Sequence, residues 1–276
     1  VAASLLPPPA LLDVGYRLVL WGPGGLANWP NLAHQRMGIG SGDGSCQYAY
    51  NGAIGWTSPA NCVSNVYNSD ADGFRRTMAR ASLAEPPILV TGSSFAKGDE
   101  VHDDEAWPAY LQDLIGRKVV NAGVSGYAFD QMVLSTEQLV PKVKPLFVIA
   151  SFTPGDIRRA GMRVAGPGPS VAGLWPWRLA ALGVPVGGGA QYSRNFLKEN
   201  GLFGTADHRA VRKVLDCAAA AGLIPFDTAD ALKAAVEARG ADAFYRTDHH
   251  SAEGNRLVAD LMMRELLNRR LLTRTE

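Results

Sequence analysis

From residue 86 onward, short apolar runs alternate with longer segments in which apolar residues recur at helical spacing. A strand that is covered on both faces is apolar throughout, whereas a helix that packs on a sheet is apolar along one side. This alternation predicts a parallel sheet with right-handed crossover helices. The predicted strands cover residues 88–91, 118–121, 146–152 and 223–226. The predicted helices cover residues 105–115, 130–140, 207–221, 229–239 and 252–271.

Two segments depart from this alternation. Residues 1–85 have no such rhythm, and we expect an irregular N-terminal extension that packs on a single domain formed by residues 86–276. A chain of 276 residues can bury a sizeable core in one such domain. Residues from about 160 to 206 form an insertion rich in Gly, Pro and Trp, and long irregular insertions are typically functional loops. Within it, Trp175 and Trp177 either stack on a sugar ring or anchor the loop to the sheet.

Charge and hydropathy argue against two classes of partner. The chain has 27 Lys and Arg residues against 26 Asp and Glu residues, a net charge of +1, and no basic stripe is interleaved with aromatic residues. We therefore expect no nucleic-acid partner. No apolar run reaches the roughly 18 residues that are needed to cross a bilayer, so we expect no membrane span.

The three cysteines lie in two different contexts. Cys46 and Cys62 are close together in a segment rich in Gly, Asn and Tyr, which suits a disulfide, whereas Cys217 lies on a predicted helix and is expected to be a buried free thiol. A sequence that begins at Val1 fits a chain from which a signal peptide has been removed, and it fits an arbitrary boundary equally well. Disulfides form in oxidising compartments, so we expect a secreted or periplasmic protein.

A serine follows the first predicted strand at a turn. The apolar run at residues 88–90 ends in Thr-Gly-Ser-Ser, whose last residue is Ser94, and Gly92 lets the backbone bend there. In open α/β sheets, ligands bind beyond the carboxyl ends of the strands. Ser94 is therefore the candidate nucleophile.

Two later blocks strengthen this assignment. Asn121-Ala-Gly-Val-Ser-Gly126 follows the second predicted strand, and Asp248-His-His-Ser-Ala-Glu-Gly254 precedes the last predicted helix. In order and spacing, the three blocks resemble those of the SGNH (GDSL-type) hydrolase family over roughly residues 86–270. The resemblance implies a divergent member with a flavodoxin-like three-layer α/β/α sandwich. It also implies serine chemistry that requires neither a metal nor an organic cofactor.

The C-terminal block can supply the base that a serine nucleophile needs. In the family an aspartate orients a histidine, which takes the serine proton. Adjacent side chains on an extended segment point to opposite faces, so Asp248 is better placed to orient His250 than His249. The spacing to Gly254 favours His249 instead, because the family's glycine lies five positions after its histidine. We adopt His250 as the base and keep His249 as the alternative.

The resemblance also nominates the backbone N–H groups of Ser94 and Gly126 as donors to the oxyanion. The chain departs from the family pattern at two positions. It has Gly-Ser-Ser in place of Gly-Asp-Ser, and Gly155 stands where an asparagine side chain would supply a third donor. Next to this glycine, Asp156 and Arg158 form a charged pair that either lines the site or ties the loop down.

These residues predict a serine esterase or O-acyltransferase that acts through an acyl-enzyme on a small-molecule or polysaccharide ester. The resemblance suggests O-acetylated carbohydrate as the substrate. A hydrolase and a transferase differ only in what attacks the acyl-enzyme, so the sequence does not separate them. The competing hypothesis is a non-catalytic carbohydrate-binding protein that kept the fold and lost the oxyanion asparagine.

Overall fold

The computed structural model describes residues 46, 48–64, 66–77, 81–160, 175–194 and 206–272. Along them the strands are β1 (Ala49–Asn51), β2 (Gly55–Thr57), β3 (Ile88–Gly92), β4 (Val119–Gly123), β5 (Phe147–Phe152), β6 (Val186–Ala190) and β7 (Ile224–Asp227). The helices are α1 (Ser94–Lys97), α2 (Trp107–Ile115), α3 (Phe129–Val143), α4 (Pro154–Ala160), α5 (Trp175–Ala180), α6 (Ala206–Ala220), α7 (Ala229–Arg239), α8 (Ala241–Phe244) and α9 (Ala252–Asn268). Among these described helices, none has both the length and the apolarity that crossing a membrane would need.

Strands β3 to β7 form a parallel sheet in the spatial order β4-β3-β5-β6-β7. The first strand of this sheet therefore lies between the second and the third, as in the flavodoxin-like arrangement. The prediction of a parallel α/β domain is confirmed. In such a sheet the chain switches direction beside the first strand, so a ligand is expected beyond the carboxyl ends of β3 and β5.

The two faces of the sheet are each covered by helices. Successive strand residues point to opposite faces, so Ile88 and Val90 pack on one side and Leu89 packs on the other. The first side is closed by α2 and α9, through Trp107, Leu111, Val258, Met262 and Leu266. The second side is closed by α3, α6 and α7, through Met132, Val133, Val211, Leu215 and Leu232. These two cores produce the three-layer sandwich, and they explain why every residue of β3 is buried.

Strand β6 lies in the segment that the sequence predicts to be irregular. It reads Val-Gly-Gly-Gly-Ala, and glycine is depleted in strands because it has no side chain to pack. Pairing with β5 on one side and β7 on the other holds this strand in the sheet. Helix α5 belongs to the same segment, and it leaves Trp177 60% exposed. Residues 161–174 and 195–205, together with the Trp175 side chain, lie outside the described residues.

The described part of the N-terminal segment packs beside the carboxyl end of β4. Strands β1 and β2 form an antiparallel hairpin, and Ile54 in its turn packs with Val124 and Tyr127. The Gln131 side chain donates a hydrogen bond to the Ile54 carbonyl at 2.8 Å. The Tyr127 hydroxyl donates to the Trp56 carbonyl at 2.7 Å. Residues 1–45 of the predicted extension lie outside the described residues.

The cysteine predictions have different outcomes. Cys46 and Cys62 form a disulfide with their Cα atoms 5.3 Å apart, as predicted. The helical context of Cys217 predicts a buried thiol, but Cys217 is exposed. The helix α6 presents Val211, Leu215 and Ala218 to the core, and a residue two positions after Leu215 points away from that face because a helix turns about 100° per residue.

Candidate active site

Ser94 lies at the end of β3, where the chain turns from strand to helix. Ser93 is extended, and Ser94 is the first residue of α1, which ends at Gly98 in the left-handed conformation with φ 86°. The turn is tightly packed: a side chain on Gly92 would bring its Cβ within 2.5 Å of the Ser151 carbonyl oxygen. Gly92 therefore allows the backbone to turn so that Ser94 lies at the carboxyl edge of the sheet.

A hydrogen-bonded chain connects Ser94 to a histidine and a glutamate. The Nε2 atom of His249 is 2.8 Å from Ser94 Oγ, and its Nδ1 atom is 3.1 Å from Glu100 Oε1. The other carboxylate oxygen of Glu100 accepts a hydrogen bond from the Thr247 backbone N–H at 3.0 Å. Because an ionised carboxylate can only accept, Nδ1 carries the proton and Nε2 is left to accept the proton of Ser94.

The structure contradicts the choice of His250 as the base. His250 is 1% exposed, and its ring packs against Phe95 and Tyr245 at centroid distances of 5.1 and 5.0 Å. Among the residues that the structure describes, neither of its ring nitrogens has a hydrogen-bond partner of normal geometry. Burial lowers its pKa from 6.5 to about 3, the neighbouring His249 lowers it as well, and the Tyr192 backbone acts in the opposite direction. His250 is a neutral core residue.

The acid that faces His249 is Glu100, whereas the sequence predicts Asp248 for this position. The Asp248 carbonyl accepts a hydrogen bond from the Arg194 backbone N–H at 3.1 Å, while Glu100 occupies the far nitrogen of His249. No local pattern indicates Glu100, because 149 residues separate it from His249. The closest sequence signal is the acidic pair that follows the short helix after the nucleophile.

The spacing to Gly254 has a structural reason. A side chain on Gly254 would place its Cβ 2.1 Å from the Phe244 carbonyl oxygen and 3.1 Å from the His250 Cβ. The first turn of α9 therefore lies directly against the end of α8. This close approach sets where α9 begins relative to the histidine loop, and the histidine five positions before Gly254 is the one that lies beside Ser94.

Behind Ser94, Asp156 supports the turn that follows β3. Its Oδ2 atom accepts hydrogen bonds from the Ser93 hydroxyl at 2.8 Å and from the Thr153 backbone N–H at 2.7 Å. It forms an ion pair with Arg159, the residue after the Arg158 of the predicted pair, and Arg158 itself is exposed. Burial raises the pKa of Asp156, whereas Arg159, Ser93 and Thr153 lower it. Asp156 is 0% exposed and supports the residue before Ser94.

The loop after β4 carries Gly126, the second nominated oxyanion donor. Gly126 has φ 77°, and the Trp56 ring lies 3.7 Å from the position that its Cβ would occupy. The preceding Ser125 hydroxyl donates to Asp99 at 2.7 and 2.9 Å and accepts from the Lys97 ammonium group at 3.2 Å. The loop is thus tied to the segment that follows α1. Gly155 lies in the first turn of α4 and brings no amide side chain.

The fold is similar to those of several solved structures. TesA matches with a TM-score of 0.50 at 19% identity, over 67% of this chain and 99% of the TesA chain. LAE5, an alpha/beta hydrolase enzyme from the metagenome of Lake Arreo, matches with a TM-score of 0.54 at 13% identity, over 69% of this chain and 97% of its own. A lipolytic G-D-S-L family protein from Veillonella parvula matches with a TM-score of 0.48 at 18% identity, over 66% of this chain and 96% of its own. The sequence itself matches no protein-family model and no curated protein.

At these levels of identity the likeness concerns the fold, and function has to be argued from the site. The parallel sheet has helices on both faces, and the turn that carries Ser94 follows its first strand. The three sequence blocks fall at the carboxyl ends of β3 and β4 and directly before α9. The chain has the α/β fold of the SGNH hydrolases.

Proposed function

We propose that this protein is a serine esterase or O-acyltransferase that forms an acyl-enzyme at Ser94. The observation that carries the proposal is the continuous chain from Ser94 through His249 to Glu100, with separations of 2.8 and 3.1 Å. A serine hydroxyl becomes a useful nucleophile when a base lies within hydrogen-bond distance and a third group orients that base. Ser94 meets both requirements.

The reaction would begin when Ser94 Oγ attacks the ester carbonyl carbon and His249 Nε2 takes the hydroxyl proton. Glu100 stabilises the imidazolium that forms. The backbone N–H groups of Ser94 and Gly126 would receive the negative charge on the carbonyl oxygen. Collapse of this intermediate breaks the bond between the carbonyl carbon and the alcohol oxygen. The alcohol departs with the proton from His249, and the acyl group remains on Ser94.

The second half of the reaction transfers the acyl group from Ser94. His249 removes a proton from water or from another hydroxyl group, and the resulting oxygen attacks the acyl carbon. The bond between the acyl carbon and the Ser94 oxygen then breaks, and His249 returns the proton to that oxygen. Attack by water makes the protein an esterase, and attack by a sugar hydroxyl makes it a transferase. The SGNH resemblance favours O-acyl groups on carbohydrate, and the exposed Trp177 ring offers a surface on which a sugar can stack.

The test combines active-site labelling with turnover of p-nitrophenyl acetate. An organophosphonate should label Ser94, and Ser94→Ala and His249→Ala should each reduce turnover by about 10⁴-fold or more. His250→Leu is the matched control, because it changes the neighbouring histidine and should leave turnover within a few-fold. Labelling of Ser93 or Ser125, or full turnover by Ser94→Ala, would contradict the proposal. Product analysis with an added sugar alcohol separates acyl transfer from hydrolysis.

A non-catalytic carbohydrate-binding protein is the second candidate, and Gly155 is the observation that favours it. Loss of one oxyanion donor typically costs about 10²- to 10³-fold in rate, so a site without the asparagine amide is weakened. This candidate predicts binding of an oligosaccharide by a folded protein that neither turns over an activated ester nor reacts with the phosphonate.

We also infer export, and the Cys46–Cys62 disulfide is the observation that supports it. Disulfides persist in oxidising compartments and are rare where thiols are kept reduced. Fractionation of the native host, with detection by an antibody, would locate the protein. Recovery from the reducing compartment with both thiols free would contradict the inference.

A further inference from the structure

Arg75 is a buried cation that the N-terminal segment contributes beside the site. It is 3% exposed, and its backbone N–H donates to the carbonyl of Asn121 in β4 at 2.9 Å. Its guanidinium group lies 5.5 Å from the centre of the Tyr67 ring. A buried charge is costly unless it is paired and hydrogen-bonded, so the partners of Arg75 indicate what it holds.

All five N–H groups of the guanidinium have acceptors. Nε donates to Asp103 at 2.8 Å. Three of the other four hydrogen bonds go to backbone carbonyls of residues 97–101, namely Lys97 at 2.8 Å, Gly98 at 2.5 Å and Val101 at 2.7 Å. The fourth goes to the Val66 carbonyl at 3.1 Å. Within residues 97–101, the guanidinium thus donates to two backbone carbonyls before Glu100 and to one after it.

This segment needs support because Glu100 is in a strained conformation. Its φ is 70°, a region that costs a residue with a side chain about 1–2 kcal/mol. Gly98 allows the close approach: a Cβ there would lie 3.0 Å from the Arg75 Nη1 atom. With both flanks of Glu100 bound to one rigid planar group, the carboxylate is held where His249 can donate to it.

We propose that Arg75 is a positioning residue for Glu100, so that a residue of the N-terminal segment sets the orientation of the catalytic histidine. The inference rests on the proposed function. Asp103 acts with Arg75, because it fixes the guanidinium through Nε. Asp103 also accepts hydrogen bonds from the backbone and the side chain of Asn68 at 3.2 and 2.7 Å.

The experiment is a double-mutant cycle between Arg75 and Glu100, read out as kcat and KM for p-nitrophenyl acetate. Arg75→Lys keeps the charge but replaces a five-donor fork with a single ammonium group. It should lower kcat by about 10- to 100-fold and change KM by less than about twofold, because the carboxylate is displaced while the substrate contacts stay. In the Glu100→Gln background the same change should lower kcat by less than about threefold, since residues that act as a unit are not additive.

Asp103→Asn is the second variant, and it serves if Arg75→Lys does not fold, which a thermal melt will show. It removes the charge that orients Arg75 while keeping the side-chain shape. We expect it to lower kcat by about 3- to 10-fold in the wild-type background and not at all beside Glu100→Gln.

Equal fold-losses in the two backgrounds would overturn the role of Arg75 and leave the esterase function standing. Unchanged kcat in folded Arg75→Lys would do the same. Absence of Ser94-dependent turnover in the wild-type protein would overturn the proposed function, and with it this inference.

Discussion

At the scale of single residues, the site depends on two adjacent histidines in opposite environments. His249 points to Ser94 and Glu100, whereas His250 is enclosed by Phe95 and Tyr245. His250 pairs with Tyr245 in an antiparallel bridge, whereas His249 lies in the bend that this bridge closes, where the Arg246 backbone N–H donates to the His249 carbonyl at 2.9 Å. The His249 ring can exchange a proton with the Ser94 hydroxyl, and the His250 ring contributes packing.

Two matched substitutions, each of which replaces a carboxylate with its amide, test which acid orients the histidine. Glu100→Gln should lower kcat by about 10²- to 10⁴-fold, because the neutral amide no longer stabilises the imidazolium of His249. Asp248→Asn changes the acid that lies beside the histidine in the sequence, and it should leave kcat within a few-fold. Steady-state kinetics on both proteins decides between them, and the reverse ranking would restore Asp248 as the acid.

The buried His250 makes the stability of the fold depend on pH. Its pKa is about 3 in the folded protein against 6.5 ordinarily, so below pH 6.5 the unfolded chain binds a proton that the folded chain does not. The stability from this group is complete above pH 6.5 and is lost as the pH falls toward 3. At pH 5 the loss amounts to about 2 kcal/mol.

His250→Leu removes this titration and supplies the comparison. Urea unfolding at pH 7.5 and pH 5 should show that the wild-type protein loses about 2 kcal/mol more than the variant does over this range. Equal losses in the two proteins would mean that His250 is protonated to the same extent in the folded and unfolded states.

At the scale of elements, Ser94 is positioned by the contact between the end of β4 and α1. A Cβ on Gly123 would lie 2.3 Å from the Lys97 backbone nitrogen and 2.8 Å from the Ala96 carbonyl carbon. A Cβ on Gly187 in β6 would find its nearest atoms at 3.8 Å. Gly123 therefore allows a close backbone contact between β4 and α1, whereas Gly187 makes no such contact.

This difference predicts opposite outcomes for two similar substitutions. Gly123→Ala should lower the free energy of unfolding by about 3 kcal/mol and reduce turnover, because backbone rather than a flexible side chain must move. Gly187→Ala should be tolerated within about 1 kcal/mol, since it meets ordinary van der Waals contacts. Chemical denaturation and p-nitrophenyl acetate turnover test both, and equal destabilisation would show that the β4–α1 contact is not special.

At the scale of the whole molecule, the described N-terminal segment is bound to the sheet at several points. The hairpin of β1 and β2 packs on α3. Arg75 donates a hydrogen bond to the Gly98 carbonyl, directly after α1, and the Cys46–Cys62 disulfide links the two ends of the segment that carries the hairpin. The segment and the sheet together build the surroundings of Ser94.

The disulfide should stabilise this arrangement without taking part in the chemistry. Cys46→Ser combined with Cys62→Ser should lower the free energy of unfolding by about 3 kcal/mol, the value expected for a loop of this length. Non-reducing peptide mapping should also show Cys46 linked to Cys62, with Cys217 alkylated in the folded protein because it is exposed. Protection of Cys217 from alkylation would contradict its position on the outer face of α6.

The sequence by itself determined the parallel α/β domain, the strand-to-turn position of Ser94 and the disulfide. These follow from periodicity and residue type within a few positions, because apolar runs and turn residues act locally. The tertiary structure alone decided the rest. Glu100 meets His249 across 149 residues. Asp156 forms an ion pair with Arg159, which lies one helical turn away. Strand β6 forms because its neighbours supply its hydrogen bonds. Side-chain direction in a loop depends on such distant contacts, so the pattern could narrow the base to two adjacent histidines, and only packing could choose between them.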